Sequence, residues 1–261
     1  MKYIDVHTHV FPDNVAVKVV SQLEEYYKLT CQGSGDLADL IKNIEEGNLA
    51  KTVIFSTATK PAQVVTINDY IASLCKTDER FIGFGTLHPD FPDIVNEIAR
   101  FKSLGLKGLK LHPDFQQFYI DDPKMDIIYE TISSTMPILI HVGDENLEYS
   151  APERLAKVMD KYPDVVFIGA HFGGYCRWET AKKCLFGRRN LYIDTSSCFG
   201  KISYSQGREM VRLHGADRVL FASDYPAQRT KQSIQDVLNM ELTLEENELI
   251  FYKNAERLLG L

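Results

Sequence analysis

The sequence is short of thiols, of positive charge and of long apolar runs. Its five cysteines, Cys31, Cys75, Cys176, Cys184 and Cys198, are odd in number and form no CxxC pair. That pattern argues against a disulfide framework or a cysteine-rich zinc site and fits buried free thiols in a reducing compartment. No stretch approaches the roughly 18 apolar residues of a membrane helix. No basic-then-apolar leader precedes the first apolar run, so the chain is expected to be cytoplasmic, with no membrane partner. Lys and Arg number 29 against 36 Asp and Glu, a net charge of −7, which argues against the basic face of a nucleic-acid binder. The GxGxxG of a dinucleotide site is also missing after the first apolar run.

What is present is a rhythm. With 261 residues, 44% of them hydrophobic, the chain is long enough to bury a sizeable core. Eight short β-rich runs recur: 3–10, 52–57, 81–88, 108–112, 137–143, 165–172, 191–197 and 219–225. Each is rich in β-branched or aromatic residues and bounded by Gly, Pro, Asp or Asn. Segments with helical period separate them. Two of these, 14–29 and 36–49, lie between the first two runs; the others are 62–76, 92–105, 123–134, 151–162, 176–186, 204–215, 230–240 and 245–260. Eight β/α units without a composition break predict a single-domain α/β fold over residues 1–261, a (β/α)8 TIM barrel. A doubly wound open sheet is the competing architecture. The polar residue that ends nearly every run favours the barrel, where strand ends carry the site.

The first run contains DVHTHVF at 5–11. Strand alternation places Asp5, His7 and His9 on one face. The run PILIHVG carries one polar side chain, His141; VVFIGAHF carries His171; VLFASDY ends in Ser223 and Asp224. Any one strand-end histidine is commonly a hydrogen-bonded structural residue. Four of them at matched positions on three runs, with an aspartate on a fourth, point instead to one rim and one divalent ion. Imidazole and carboxylate ligands suit zinc first, with manganese, iron or nickel as alternatives, and the missing thiolates disfavour a closed structural site. An open site keeps a water, whose pKa the ion lowers towards 7.

DVHTHVFP at 5–12, GLKLHP at 108–113, ILIHVG at 138–143, GAHFGG at 169–174, IDTSS at 193–197, FASDYP at 221–226 and NAERLLG at 254–260 together resemble the amidohydrolase superfamily, in its amidohydrolase-related branch. That branch includes decarboxylases such as aminocarboxymuconate-semialdehyde decarboxylase, and lactone hydrolases. The resemblance implies that His7, His9, His141 and Asp224 hold the ion, with Asp224 also moving the proton. It implies that His171 is either a ligand of a second ion or a group that polarises substrate. Lys110, inward with Gly108 and His112, is either a carbamate bridging two ions or a lysine that binds a substrate carboxylate. One ion is expected rather than two.

His112 and His88 are expected to line the pocket, and Arg177 and Arg229 to grip a substrate carboxylate from loops at the same rim. Asp194, on one face with Tyr192 and Ser196, is expected to support a ligand histidine or anchor the barrel end. The aromatic candidates for a pocket wall are Phe11, Phe115, Phe118, Tyr119 and Trp178.

The leading expectation is hydrolysis of an amide, lactone or ester in a small, carboxylate-bearing substrate. The alternative is a non-oxidative decarboxylase of a small carboxylic acid. A metal-binding regulatory protein without turnover is disfavoured, because no expected ligand is missing. The partner is a small-molecule substrate, and a homo-oligomer is expected by family analogy.

Overall fold

The computed structural model describes residues Met1–Leu261. Eight parallel strands run in sequence order: β1 (Ile4–His9), β2 (Lys51–Phe55), β3 (Phe81–Thr86), β4 (Gly108–Leu111), β5 (Ile138–Ile140), β6 (Phe167–Gly169), β7 (Leu191–Asp194) and β8 (Val219–Leu220). Closure between β8 and β1 comes from Val6 N donating to Phe221 O, Asp224 N to His7 O and His9 N to Tyr225 O. The fold is therefore the (β/α)8 barrel that the eight-run rhythm predicts.

Alternation along the strands builds two cores. Ile4, Val6, Val53, Phe55, Ile82, Phe84, Leu139, Ile168 and Leu220 form one cluster, the barrel interior. Leu109, Leu111, Ile140, Phe167, Ile193 and Val219 point the other way and pack with helix residues such as Ile98, Phe101, Leu155, Val211 and Val237. Full burial of each such side chain contributes about 1.5–3 kcal/mol. Gly108 has a packing reason: a Cβ there would lie 2.5 Å from the Phe84 ring that fills the interior. Two helices, α1 (Asp13–Tyr27) and α2 (Leu37–Glu46), separate β1 from β2. Asp36 caps α2 by accepting from Asp39 N at 2.9 Å.

Three details differ from the sequence reading. The runs at 137–143, 165–172 and 219–225 form only short ladders, because the backbone leaves the sheet just before the polar residues. His171, Phe172 and Asp224 have φ of 59°, 51° and 64°, in the left-handed region. Asp5 does not share a face with His7 and His9: the register between Asp5 and Thr8 is irregular. Ile4 and Val6 fill the interior, while Asp5 turns towards the helices and accepts from Thr230 Oγ1 at 3.3 Å. The last helical segment is three pieces, Leu244–Glu248, a wider turn at Leu249–Lys253, and Asn254–Leu259.

Candidate metal centre

His7 and His9 leave β1 on the interior side, because the bulge resets the alternation after Val6. His7 Nε2, His9 Nε2 and Asp224 Oδ1 converge: the nitrogens are 3.3 Å apart, and the carboxylate oxygen is 3.1 Å from His7 and 3.4 Å from His9. All three ligand atoms lie within 4.8 Å of one another. Beside them, His171 Nε2 is 3.0 Å from His141 Nδ1. The His7 and His171 rings are 5.3 Å apart, centre to centre.

The outer partners fix which nitrogens carry protons. His7 Nδ1 is 2.9 Å from Asp194 Oδ2, and a carboxylate only accepts, so His7 carries its proton there and turns an Nε2 lone pair inward. His141 donates from Nε2 to Gly143 O at 2.8 Å, which leaves its Nδ1 lone pair facing His171. His171 Nδ1 lies 3.1 Å from Ser196 O, which again only accepts, so its Nε2 lone pair faces His141. Burial holds both His141 and His171 below the ordinary histidine range, hence neutral at pH 7.

Lone pairs that face one another at hydrogen-bond distance, with no proton between them, repel unless a cation sits among them. Metal–nitrogen bonds of about 2.1 Å at right angles place adjacent ligand atoms about 3.0 Å apart. The observed spacings are of that size, so the donor set fits a divalent ion.

Asp194 is the hub of this orientation. It is fully buried; Oδ1 accepts from His171 N at 2.9 Å, from Ser196 N at 3.1 Å and from Ser196 Oγ at 2.5 Å. Burial alone would raise its pKa, but His7, His171 and Ser196 hold it well below the usual carboxylate range. Asp224 is likewise held far down, chiefly by His7 and His9 against the penalty of burial, and Ser197 Oγ donates to its Oδ2 at 2.5 Å. His7 moves the other way. Burial and Lys110 oppose its charged form, but the Asp224 and Asp194 carboxylates raise it. His9, buried and lacking such a pair, falls to about 4.

Lys110 is fully buried, with Nζ 3.1 Å from His7 Nε2 and 4.8 Å from the Phe55 ring centre. Burial pushes its ammonium down to about 8, against the pull of Asp224 and Asp194. It is the one Lys or Arg among the residues lining the cavity over the histidines. His112 also lines that cavity, stacked 4.0 Å from His141.

Two expected substrate ligands are elsewhere. Arg177 donates from Nε to Asp144 O at 2.7 Å and from Nη2 to Leu147 O and Glu148 Oε1, so it braces the loop after β5. Arg229 donates from Nε to Gln32 O at 3.0 Å and from Nη2 to Asp39 Oδ1 at 2.8 Å, tying the loop before α2 to α2 and the loop after β8. Neither lines the cavity, because backbone carbonyls and carboxylates of neighbouring segments hold their Nε and Nη2 groups; Arg229 Nη1 is buried without a partner. His88 lies outside it as well, its Nδ1 accepting from Asp90 N at 3.2 Å. Of the aromatic candidates Phe115 lines the cavity, whereas Phe11, Phe118, Tyr119 and Trp178 do not.

The cavity wall includes Leu23, Tyr27, Leu29 and Cys31, from the end of α1 and the turn after it, and Tyr175 from the loop after β6. Those residues carry no motif. The available signal was architectural: two helical segments between the first two runs, where one suffices to cross over, place an insertion at the active rim.

A family model for Amidohydrolase matches residues 4–261. Among solved structures, an uncharacterised TIM-barrel protein from Bordetella bronchiseptica superposes with a TM-score of 0.77 at 18% identity, covering 100% of this chain and 99% of that one. A dihydroxybenzoic acid decarboxylase from Polaromonas sp. JS666, with bound manganese and the inhibitor 2-nitroresorcinol, gives 0.75 at 17% identity, covering 100% and 97%. The 5-carboxyvanillate decarboxylase of Sphingomonas paucimobilis gives 0.73 at 16%, covering 100% and 99%.

Proposed function

The chain belongs to the amidohydrolase family, and on that premise we propose that it is a metal-dependent, non-oxidative carboxy-lyase acting on a small carboxylic acid. The observation that carries the reading is the convergence of His7 Nε2, His9 Nε2 and Asp224 Oδ1, with the inward lone pair of His7 fixed by Asp194. Two of the similar structures named above are decarboxylases, and one of them holds manganese; that favours carboxylate release over the hydrolysis expected from sequence. Manganese is accordingly the first ion to try, ahead of zinc.

His7, His9 and Asp224 would hold a single ion, with His141 and His171 beside it. When bound, a divalent ion supplies a Lewis-acid centre for the substrate's carboxylate and a neighbouring oxygen. Lys110, the one Lys or Arg lining the cavity, is assigned to an anionic oxygen of the substrate. His112 and Phe115, stacked 4.0 Å apart, contribute aromatic surface to the cavity wall. The reaction breaks one carbon–carboxylate bond, releases CO₂ and places one proton on the same carbon, so no oxidant or reductant is needed. Asp224 and His171 are titratable side chains that line the cavity, and they are assigned its delivery.

The test is chelation followed by reloading. CO₂ release from a panel of hydroxybenzoates is measured for stripped, manganese-reloaded and zinc-reloaded protein, beside a panel of lactones and amides. The reading expects CO₂ only after reloading. Full activity in the stripped protein would sink the metal assignment, and lactone or amide cleavage without CO₂ would establish hydrolysis instead.

A further inference from the structure

The cavity contains a polar group that neither ligand binding nor proton delivery uses. Tyr27 ends α1, and its ring lies 5.7 Å from both Phe115 and Tyr175 and 6.3 Å from His141, centre to centre. Its Oη is 3.0 Å from His112 Nε2 and has no other hydrogen-bond partner in the protein. Direction of that bond decides what the phenol can do.

His112 settles the direction. Its Nδ1 accepts from Phe115 N at 3.4 Å, so that nitrogen carries the lone pair. Its Nε2 therefore carries the proton and donates it to Tyr27. The imidazole has little freedom to reverse. It is sandwiched between Phe115 and His141 at 4.0 Å on each side, and its own backbone N donates to Gln116 Oε1 at 2.8 Å. Tyr27 accepts, so its own proton is left over, on a side chain that lines the cavity.

The segment bearing Tyr27 is pinned. Tyr26 Oη donates to Asp144 Oδ2 at 3.0 Å across the cavity rim, and Cys31 N donates to Glu24 Oε1 at 2.9 Å. Between them Lys28 turns the chain with φ of 52°. A pinned donor with an unused proton is preorganised for an acceptor supplied by a ligand.

We propose that Tyr27 is a specificity-determining residue of this cavity, its hydroxyl proton left free by His112 for donation to an anionic oxygen of the bound acid. Arg177 and Arg229, engaged elsewhere, do not perform this role. Burial keeps the phenol far above its usual range, so the donor persists at any working pH. The ligand's identity rests on the carboxy-lyase reading; the state of Tyr27 does not.

Two measurements test the inference and keep it separate from that reading. Manganese-reloaded wild type and Tyr27→Phe are titrated calorimetrically with 2,6-dihydroxybenzoate, and Tyr27→Phe is expected to bind about 10- to 100-fold more weakly, as for loss of one hydrogen bond to a charged group. Equal binding would overturn the proposal. Separately, ¹⁵N-histidine spectra of the zinc-loaded protein report the His112 tautomer without any substrate. A protonated Nε2 whose resonance moves in Tyr27→Phe is expected. A protonated Nδ1 would mean that Tyr27 spends its proton on His112, and would refute the proposal outright. If wild type fails to bind the probe, the substrate class falls and the tautomer still decides the case for Tyr27.

Discussion

Replacing Asp194 by Asn should weaken ion binding without unfolding the barrel. The two side chains are nearly isosteric, and Asn Oδ1 can still accept from His171 N and from Ser196, which Asp194 serves at 2.5–3.1 Å. The other atom becomes an NH₂ facing His7 Nδ1 across 2.9 Å. Two donors cannot face each other, so His7 must move its proton to Nε2, the atom turned towards His9 and Asp224. That proton occupies the lone pair that an ion would use. Loss of such an outer partner costs about 10- to 100-fold in ion affinity, about 1.4–2.7 kcal/mol. Competition against a chromophoric chelator measures it directly for manganese and zinc. Thermal melting of the metal-free proteins supplies the control, with the two expected to melt alike to within a few degrees. Unchanged ion affinity in Asp194→Asn would refute the assignment of His7 Nε2 as a ligand. A large loss of melting temperature with unchanged affinity would make Asp194 purely a part of the barrel wall.

Two more substitutions probe the surroundings. Asp114 is buried with neither carboxylate oxygen hydrogen-bonded, and burial pushes its carboxyl up to about 6. A group raised in the folded state stabilises fully below its unfolded value near 4 and loses that contribution as pH rises through 6. Asp114→Asn should therefore raise stability at pH 7.5 by about 1–3 kcal/mol and leave it unchanged at pH 4; denaturant titrations at both pH values check it, and equal effects at both would contradict the ionisation argument. Gly143 has φ of 87°, and a Cβ there would lie 2.5 Å from Tyr175 O and 2.7 Å from Tyr175 N. Gly143→Ala should cost at least about 2 kcal/mol, about 4–8 °C in melting temperature, and also weaken ion binding by moving the carbonyl that orients His141; a melting curve superimposable on wild type would show that the loop yields freely.

The barrel was legible because its signal is local and repeated. Alternation places Leu139 and His141, or Gly108 and Lys110, on the interior side without knowledge of the rest of the chain. The donor types were legible too, since His and Asp recur at the same end of several runs. Side-chain direction was not legible wherever the backbone departs from the ladder. Asp5 turned outward because a bulge inserted after it resets the alternation, and no residue type announces a bulge. His171 and Asp224 reach the cavity from left-handed backbone, which period-two counting does not describe. The two arginines misled because a guanidinium near a rim is equally served by loop carbonyls, and only tertiary contact tells which it meets. Tyr27 reaches the cavity from an inserted helix that docks through Tyr26 on Asp144, 118 residues beyond Tyr26.

The irregular strand ends also explain why the fold and the site are difficult to separate. Where β1, β6 and β8 give up their ladders, amide groups are freed that burial forbids leaving unpaired. Two aspartates take them. Asp5 accepts from His7 N and Ser223 N at 3.1 Å each, on the helix side. Asp194 accepts from His171 N and Ser196 N, on the interior side. Each therefore replaces sheet hydrogen bonds and fixes a residue next to, or among, the proposed ion ligands. Their charge states differ because their surroundings do. Asp5 has burial against it, which its neutral donors offset only in part, and its carboxyl rises to about 6, whereas Asp194 is held down by His7 and His171. The interior carboxylate is thus stabilised as an anion by the same imidazoles it orients. A ligand set of this kind is not decoration added to a finished barrel: the backbone distortions that aim the ligands are held in place by the carboxylates that set their tautomers.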